Sequence, residues 1–165
     1  MRAFLAAVVV GLLAAFPARA ELNPDGYVSQ SSVDCVTMAV WSEARGEPVL
    51  AQISVANVVK NRVESGRYAS SYCGVVRQSV LRGHCQFQGL CGRNFRRKLT
   101  RRDRESWSAA SYIAMVVVYD LVADFSRGAT CFHDVTVLPD WAWNNRPLSR
   151  YGRLTFYDCD GRRKG

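Results

Sequence analysis

The feature that most constrains the fold is a long segment, residues 103–125, in which apolar residues recur every three or four positions. That spacing places them on one face of an α-helix, and Asp103 stands where it can cap the helix start. The apolar face consists of Trp107, Ala110, Ala114, Val117, Leu121 and Phe125. The uncharged part of the segment, Ser106 to Tyr119, is shorter than the roughly 20 residues that cross a bilayer. We therefore expect a central, buried helix of a globular domain.

Three further helices are predicted ahead of this segment. The first covers Asp34 to Arg45, where neither glycine nor proline occurs, with Ser31 and Ser32 as candidate N-caps. The second runs from Pro48 to Val63 and carries apolar residues at helical spacing. A shorter helix is expected over Ser71 to Leu81. The order of these segments predicts a mainly helical N-terminal half.

The pattern changes in two other parts of the chain. Residues 83–100 lack helical periodicity and predict a long structured loop. Thr130 to Val137 and Arg153 to Tyr157 carry the β-branched and aromatic residues of short strands, with turns at 138–140 and 144–147. The expected fold class is therefore α+β, mainly helical, as a single domain with a few short C-terminal strands.

The N-terminus has the pattern of an export signal. Arg2 precedes an uncharged apolar run from Phe4 to Phe16, and Ala18-Arg19-Ala20 matches a signal-peptidase site. After cleavage the net charge is +6, because Lys and Arg fall from 22 to 20 against 14 acidic residues. We expect a periplasmic or secreted protein. Its expected organisation is a signal peptide at 1–20, an N-terminal arm at 21–32, the domain at 33–160 and a basic tail at 161–165.

The six cysteines all follow the predicted signal, and an even number in an exported chain indicates disulfides. Cys85 and Cys91 are near each other in sequence and form the expected local bridge, which leaves the other four to join distant elements. The alternative is a zinc site built from His84, Cys85, Cys91 and His133. We favour disulfides, since no Cys-x2-Cys pair occurs, and we expect neither a metal nor another cofactor.

Acidic residues are the best candidates for catalysis. The chain contains no phosphate-binding loop, no His-Glu-x-x-His and no Gly-x-Ser-x-Gly. Glu43 lies in the last turn of the first predicted helix, just before Gly46-Glu47-Pro48, which predicts a tight joint to the second. Apolar neighbours and the helix C-terminus should both raise the pKa of Glu43, as a general acid requires. The alternative is a surface ion pair with Arg45 or Arg62.

Several short motifs carry a family resemblance. They are Glu43-Ala44-Arg45-Gly46-Glu47-Pro48, then Gln52, 55–63, Gln86-Phe87, 128–133, Pro139-x-Trp141 and Gly152-x-x-x-Phe156-Tyr157. In this order the chain resembles the cell-wall hydrolases related to spore-cortex-lytic enzymes, over roughly Cys35 to Tyr157. Two positions depart from the family pattern: Gln88, where the family often has Ser, and Leu154, in a segment that often carries His.

The resemblance implies a lysozyme-like domain that cleaves peptidoglycan between N-acetylmuramic acid and N-acetylglucosamine. It also implies that Glu43 is the catalytic acid/base. One such residue suffices for a lytic transglycosylase, in which the muramic acid C6 hydroxyl attacks and a 1,6-anhydro sugar forms. A water-using muramidase needs a second acid. Glu47 is the nearest in sequence, but a supporting role at the helix joint is the favoured interpretation. A non-catalytic peptidoglycan-binding module is the other alternative.

Four further residues are candidates for binding the substrate: Gln86, Phe87, His133 and Tyr157. For each of them, packing within the domain is the alternative interpretation. We expect three polar residues of the second helix to fix structure, namely Asn57, Asn61 and Arg62. Trp141 and Trp143 would lie on one side of a strand, where they could form a sugar platform or pack in the core.

A basic cluster lies between the loop and the long helix. It consists of Arg93, Arg96, Arg97, Lys98, Arg101, Arg102 and Arg104. Clustered positive charge is typical of nucleic-acid binding, but an exported protein seldom meets nucleic acid. We expect peptidoglycan as the partner of a monomeric protein, with the cluster either in contact with the anionic wall or membrane surface or forming a solvated loop.

Overall fold

A computed structural model describes residues 30–78, 87 and 100–160 of the chain. Its described helices are α1 (Gln30–Ala44), α2 (Val49–Ser65), α3 (Tyr72–Arg77) and α4 (Arg101–Val118). They precede a small sheet made of β1 (Cys131–Asp134), β2 (Ser149–Tyr151) and β3 (Leu154–Tyr157). The predicted fold class, α+β and mainly helical with short C-terminal strands, is confirmed.

Helix α1 starts earlier than the sequence predicted. It is described from Gln30, within the stretch assigned to the N-terminal arm, and both Ser31 and Ser32 lie inside it. The prediction that these serines cap the helix is therefore wrong. Ser32 is fully buried, and Val33 beside it belongs to the core, so tertiary packing extends the helix past its local cap signal. Helix α1 contacts each of the other helices in the described ranges.

The joint between α1 and α2 is confirmed. Pro48 is the N-cap of α2, and the Glu47 backbone N–H donates to the Ala44 carbonyl at 2.9 Å. Helix α2 ends at Ser65, where Gly66 takes the left-handed conformation with φ 68° that glycine adopts without steric cost. Helix α3 begins after Ser71, whose hydroxyl accepts from the Gly74 N–H. The predicted end of this helix, at Leu81, lies outside the described residues.

The long helix differs from its prediction at both ends, and it lies at the outside of the domain where a central place was predicted. Thr100, not Asp103, is the N-cap, and Asp103 completes a capping box by accepting from the Thr100 backbone. The helix ends at Val118 because Asp120 turns the chain with φ 58°, which leaves Leu121 69% exposed. Five of the 18 residues of α4 are buried, against eleven of 17 in α2. The central helix is therefore α2, and α4 is an amphipathic outer helix.

The three strands form an antiparallel sheet in the order β1-β3-β2. Strand β1 is shorter than the predicted 130–137, because the Asp134 carboxylate accepts from the Thr136 N–H at 2.8 Å and turns the chain. Strand β3 is fully buried and lies within the predicted 153–157. Strand β2 was not predicted. In the register, Cys131 pairs with Tyr157 and His133 with Thr155.

Two disulfides join distant parts of the chain, as expected for four of the cysteines. Cys35–Cys73 links α1 to α3, and Cys131–Cys159 links β1 to the segment after β3. The expected Cys85–Cys91 bridge lies outside the described residues, as does most of the alternative zinc site. Among residues 30–78, 87 and 100–160, no group of three metal-binding side chains occurs. In the same ranges, no helix is long and apolar enough to cross a membrane.

Candidate functional site

Glu43 lines an open cavity of about 340 Å³ between the end of α1 and the sheet. The other lining residues are Phe132, His133, Asp134, Val137, Pro139, Trp141 and Leu154. Glu43 is half-buried, and its Oε1 lies 3.4 Å from the Ser42 hydroxyl that donates to it. We call this space the Glu43 cavity. It combines two carboxyl groups, those of Glu43 and Asp134, with aromatic and aliphatic walls, a composition that suits a saccharide next to an acid catalyst.

Arg45 and Arg62, the alternative ion-pair partners of Glu43, make other contacts. The Arg45 guanidinium lies 4.4 Å above the Trp41 ring. The Arg62 Nε donates to the Thr130 carbonyl. The location of Glu43 in a cavity agrees with the catalytic interpretation, whereas its role there remains a prediction.

His133, Tyr157 and Trp141 form an aromatic cluster, of which His133 and Trp141 line the cavity. The His133 and Tyr157 rings stack with centroids 5.4 Å apart, and the edge of Trp141 meets both. The His133 Nδ1 lies 2.8 Å from the Asp134 carbonyl, which can only accept a hydrogen bond. In neutral His133, Nδ1 therefore carries the proton and Nε2 accepts from the Tyr157 hydroxyl at 3.0 Å. This pairing fixes the imidazole as part of the cavity wall.

Tyr157 itself is buried, with 4% of its surface exposed. It supports the wall through His133 and Trp141, and it is not among the residues that line the Glu43 cavity. The prediction that His133 meets the substrate remains open to test. The buried position of Tyr157 favours a positioning role.

Trp141 lies on a short 3-10 helix, Asp140–Ala142, and not on a strand. The expectation that Trp141 and Trp143 share one side of a strand is therefore wrong. Trp141 is 40% exposed and faces the cavity, while Trp143 is 71% exposed and does not line it. Core packing is excluded for both rings, and Trp141 alone is placed as a candidate sugar platform.

Glu47 lies at the helix joint and has a structural contact. Its Oε2 accepts from the Arg153 backbone N–H at 2.8 Å, which ties the joint to the turn between β2 and β3. The Glu47 carbonyl accepts from the Gln52 side chain at 2.9 Å. These contacts agree with the supporting role predicted for Glu47, and Glu47 does not line the Glu43 cavity.

Asp134 is the acidic residue in the cavity that sequence reasoning missed. Its Oδ1 accepts from the Thr136 N–H and hydroxyl and from the Arg153 guanidinium. The hydrogen bonds from Thr136, followed by those from Arg153, lower the pKa of Asp134 below its usual value. Asp134 is therefore an ionised carboxylate held by neighbours. The Asp-Val-Thr sequence, typical of an Asp side chain that bonds two residues ahead, was the local signal available.

Phe87 was predicted to stack on a sugar, and the structure contradicts this. The ring is 1% exposed and belongs to the main hydrophobic core. The Arg62 guanidinium lies 5.5 Å from the Phe87 ring and 5.1 Å from the Tyr68 ring. A ring with 1% of its surface exposed has no face available to a sugar, so Phe87 contributes to the packing of the core. Gln86 and Gln88 lie outside the described residues.

The structural roles predicted for three polar residues of α2 are supported by their contacts. The Asn57 amide donates to the Ile53 carbonyl, one turn back. The Asn61 amide lies within 3.1 Å of the Asp124 carboxylate, the Ser126 hydroxyl and the Ala129 carbonyl. Asn61 and Arg62 thus hold the loop that leads into β1, and through it the cavity wall.

Leu154 is one of the two positions at which the chain departs from the family pattern, and it lies in the Glu43 cavity. It is 4% exposed and adds an apolar wall to the cavity.

Only part of the basic cluster is described. Arg101, Arg102 and Arg104 are exposed on the first turns of α4, and Arg101 pairs with Glu105 at 3.3 Å. Surface pairs of this kind contribute little to stability. The remaining residues of the cluster, from Arg93 to Lys98, lie outside the described ranges.

Curated relatives of this chain are named spore cortex-lytic enzymes. The chain is 37% identical to that of Bacillus subtilis over 137 residues, which are 81% of this chain and 40% of the relative. It is 28% identical to that of Halalkalibacterium halodurans over 136 residues, covering 81% of this chain and 36% of the relative. The chain thus spans well under half the length of these relatives.

Two solved structures share the fold. One is the catalytic domain of the Bacillus cereus SleB protein, with a TM-score of 0.52 over 82% of this chain and 94% of that one. The other is the catalytic domain of the germination-specific lytic transglycosylase SleB from Bacillus anthracis, with a TM-score of 0.54 over 82% and 100%. Both are 23% identical to this chain, so they establish that it shares the fold of these catalytic domains, and no more.

The family model described as Cell Wall Hydrolase matches residues 46–157. The match includes α2, the sheet and every cavity residue except Glu43, which precedes it by three positions. The family resemblance stated from the motifs is confirmed by this match. The chain belongs to the cell wall hydrolase family.

Proposed function

We propose that this protein cleaves the glycan strand of peptidoglycan between N-acetylmuramic acid and N-acetylglucosamine, as a lytic transglycosylase with Glu43 as acid and base. Membership of the cell wall hydrolase family supports the substrate class. The observation that carries the proposal is the position of Glu43 in a cavity that it shares with Asp134 and with aromatic and apolar walls. Peptidoglycan lies outside the cytoplasm, so the proposal includes export by the predicted signal peptide.

The mechanism uses one carboxyl group twice. The Glu43 carboxyl donates its proton to the glycosidic oxygen as the bond from that oxygen to C1 of the muramic acid breaks. The resulting carboxylate then takes the proton of the C6 hydroxyl as that oxygen bonds to C1. The products are a strand whose N-acetylglucosamine carries a free C4 hydroxyl and a strand that ends in 1,6-anhydromuramic acid, and Glu43 is protonated again.

The contacts of Asp134 favour this route over hydrolysis by water. A muramidase needs a second carboxylate that acts as a base or a nucleophile across the sugar. Asp134 is in the cavity, but its carboxylate already accepts hydrogen bonds from Thr136 and pairs with Arg153. Each of these donors lowers the basicity of Asp134, which makes it a poorer base for activating water. We therefore assign Asp134 to holding the turn after β1, and Glu43 to the chemistry.

The first experiment digests purified peptidoglycan with residues 21–165 and identifies the soluble fragments by mass spectrometry. We expect fragments that are lighter than hydrolysed ones by one water, about 18 Da, because an internal hydroxyl replaces water. Glu43→Gln removes the acid with little change of shape and should lower the rate about 10² to 10⁴-fold. Glu47→Gln is the matched control, because the Gln amide oxygen can still accept from the Arg153 N–H.

Other outcomes would decide between the alternatives. Fragments of full hydrolytic mass, together with loss of activity in Asp134→Asn, would mean a muramidase in which Asp134 is the second acid. Wall binding without any cleavage by the unmodified protein would identify a non-catalytic module. Equal loss of activity in Glu43→Gln and Glu47→Gln would remove the reason for assigning the chemistry to Glu43.

A further inference from the structure

A second groove, of about 430 Å³, lies beside the Glu43 cavity. Its lining residues are Arg62, Tyr68, Cys131, Phe132, Trp141, Asn145 and Cys159. Phe132 and Trp141 line both spaces, so the two share a wall. Because the shared wall includes the exposed Trp141 ring, a long ligand can continue from one space into the other. A small ligand would need only one of them.

The second groove has the chemistry of a sugar site. Trp141 supplies an exposed aromatic surface, and Asn145 supplies a side-chain amide. That amide has two N–H donors and an oxygen acceptor, and one N–H is used on the Trp141 carbonyl. Tyr68 adds a hydroxyl, which donates to the Asp160 carboxylate at 2.9 Å. An aromatic surface with nearby amide and hydroxyl groups suits the face and the hydroxyl or acetamido groups of a sugar.

The charge of the groove favours an uncharged sugar over a strong anion. Among the described residues, Arg62 is the one cation that lines the groove; it is 6% exposed and donates to the Thr130 carbonyl. Burial lowers the pKa of the Arg62 guanidinium, and Tyr68 and the Asp160 carboxylate counteract this effect. The positive charge of Arg62 is therefore already balanced in part by groups of the protein. A phosphate-rich ligand would require more positive charge at this position.

We propose that the second groove binds further sugars of the same glycan strand, beyond the bond that is cleaved at Glu43, and so makes the enzyme prefer long strands. This inference rests on the proposed function, since it names where the rest of that substrate lies. Trp141 lies in the wall that the two spaces share: its backbone carbonyl accepts from the Asn145 amide, and its ring meets the His133 and Tyr157 rings. Trp141 thus connects the groove to the wall of the Glu43 cavity.

The test compares a tetrasaccharide and an octasaccharide prepared from peptidoglycan. For the unmodified protein, kcat/KM should be higher for the octasaccharide. Asn145→Ala should lower the ratio of the two kcat/KM values roughly three- to tenfold, as expected for a lost hydrogen bond. Asn144→Ala is the matched control, because Asn144 is an exposed neighbour that lines neither space. Thermal unfolding of each variant separates loss of preference from loss of folding.

Binding by Glu43→Gln gives a second readout that does not depend on cleavage. The octasaccharide should bind this variant more tightly than the tetrasaccharide, and Asn145→Ala in the same chain should remove the difference. If the protein cleaves nothing but the binding preference is present, the catalytic proposal fails and the groove stands. Equal kcat/KM and equal affinity for both strands, or an Asn145→Ala effect that is the same for both, would overturn the groove.

Discussion

The replacement Gly152→Ala tests how the helix joint is connected to the sheet. Gly152 lies in the turn between β2 and β3 with φ 55°, a conformation that costs a residue with a Cβ about 1–2 kcal/mol. An added Cβ would lie well inside van der Waals contact distance of Glu47 Oε2 and 2.7 Å from Pro48 Cδ. The Pro48 ring is rigid, so Glu47 must move and lose its hydrogen bond from the Arg153 N–H.

A hydrogen bond to a charged acceptor contributes about 1.5–3 kcal/mol. Alanine also restricts the unfolded chain, which offsets the loss by about 0.4–1 kcal/mol. We therefore expect Gly152→Ala to lower the free energy of unfolding by about 2–4 kcal/mol. The matched control is Gly66→Ala, because Gly66 has a similar φ of 68° and no atom within 4 Å of the added Cβ. It should cost about 1 kcal/mol.

Urea unfolding of the two variants measures the difference. Two more variants, Glu47→Ala alone and Glu47→Ala with Gly152→Ala, complete a double-mutant cycle. The glycine replacement should cost about 1.5–3 kcal/mol less in this background, because the hydrogen bond is already gone. If Gly152→Ala costs no more than Gly66→Ala, or if the two changes at 47 and 152 are additive, Glu47 does not link the joint to the sheet.

Two further predictions concern the disulfides and a buried phenol. Replacing either the Cys131–Cys159 or the Cys35–Cys73 pair by serines should cost a similar amount, about 3.5–4 kcal/mol in urea unfolding, since the loops closed are similar in length. Only the Cys131–Cys159 replacement should also lower the ratio of kcat/KM for the octasaccharide to kcat/KM for the tetrasaccharide. An equal effect of both replacements on this ratio would contradict the prediction. Burial raises the pKa of Tyr72 above its usual value of 10.0, so the unfolded chain loses this proton first. The contribution of Tyr72 to stability is complete below about pH 10 and lost as the pH rises above it. Unfolding free energies measured across this range should fall less steeply for Tyr72→Phe, and an unchanged slope would argue against the shift.

Local signals predicted the joint between α1 and α2 correctly, although the N-caps expected at Ser31, Ser32 and Asp103 were wrong. Gly46-Glu47-Pro48 stops one helix and starts the next through backbone preferences of these residues alone, and the structure has that joint. Periodicity was less informative about how deeply a helix is buried in the domain. Residues 103–125 have a clear apolar face, yet α4 is an outer helix, because periodicity gives the side that is buried and not how much covers the other side.

Of the candidate site, the sequence placed Glu43 at a helix end and His133 in a strand, and both line the cavity. It misassigned Phe87, because an aromatic ring in a loop has the same sequence pattern whether it meets solvent or the core. It also missed Asp134 as a cavity residue. Alternation along a strand does not reveal which distant helix the strand end will face.

By itself, the sequence determined the family, the helix joint and the position of Glu43 in the last turn of α1. These depend on short motifs and on φ/ψ preferences, which act within a few residues. Only the tertiary structure decided that Asp134 and Trp141 share a cavity with Glu43, and that a second groove continues behind Trp141. The two spaces bring together residues about 60 to 110 positions apart. Their geometry follows from how the helices and the sheet pack around one core, which a local pattern does not encode.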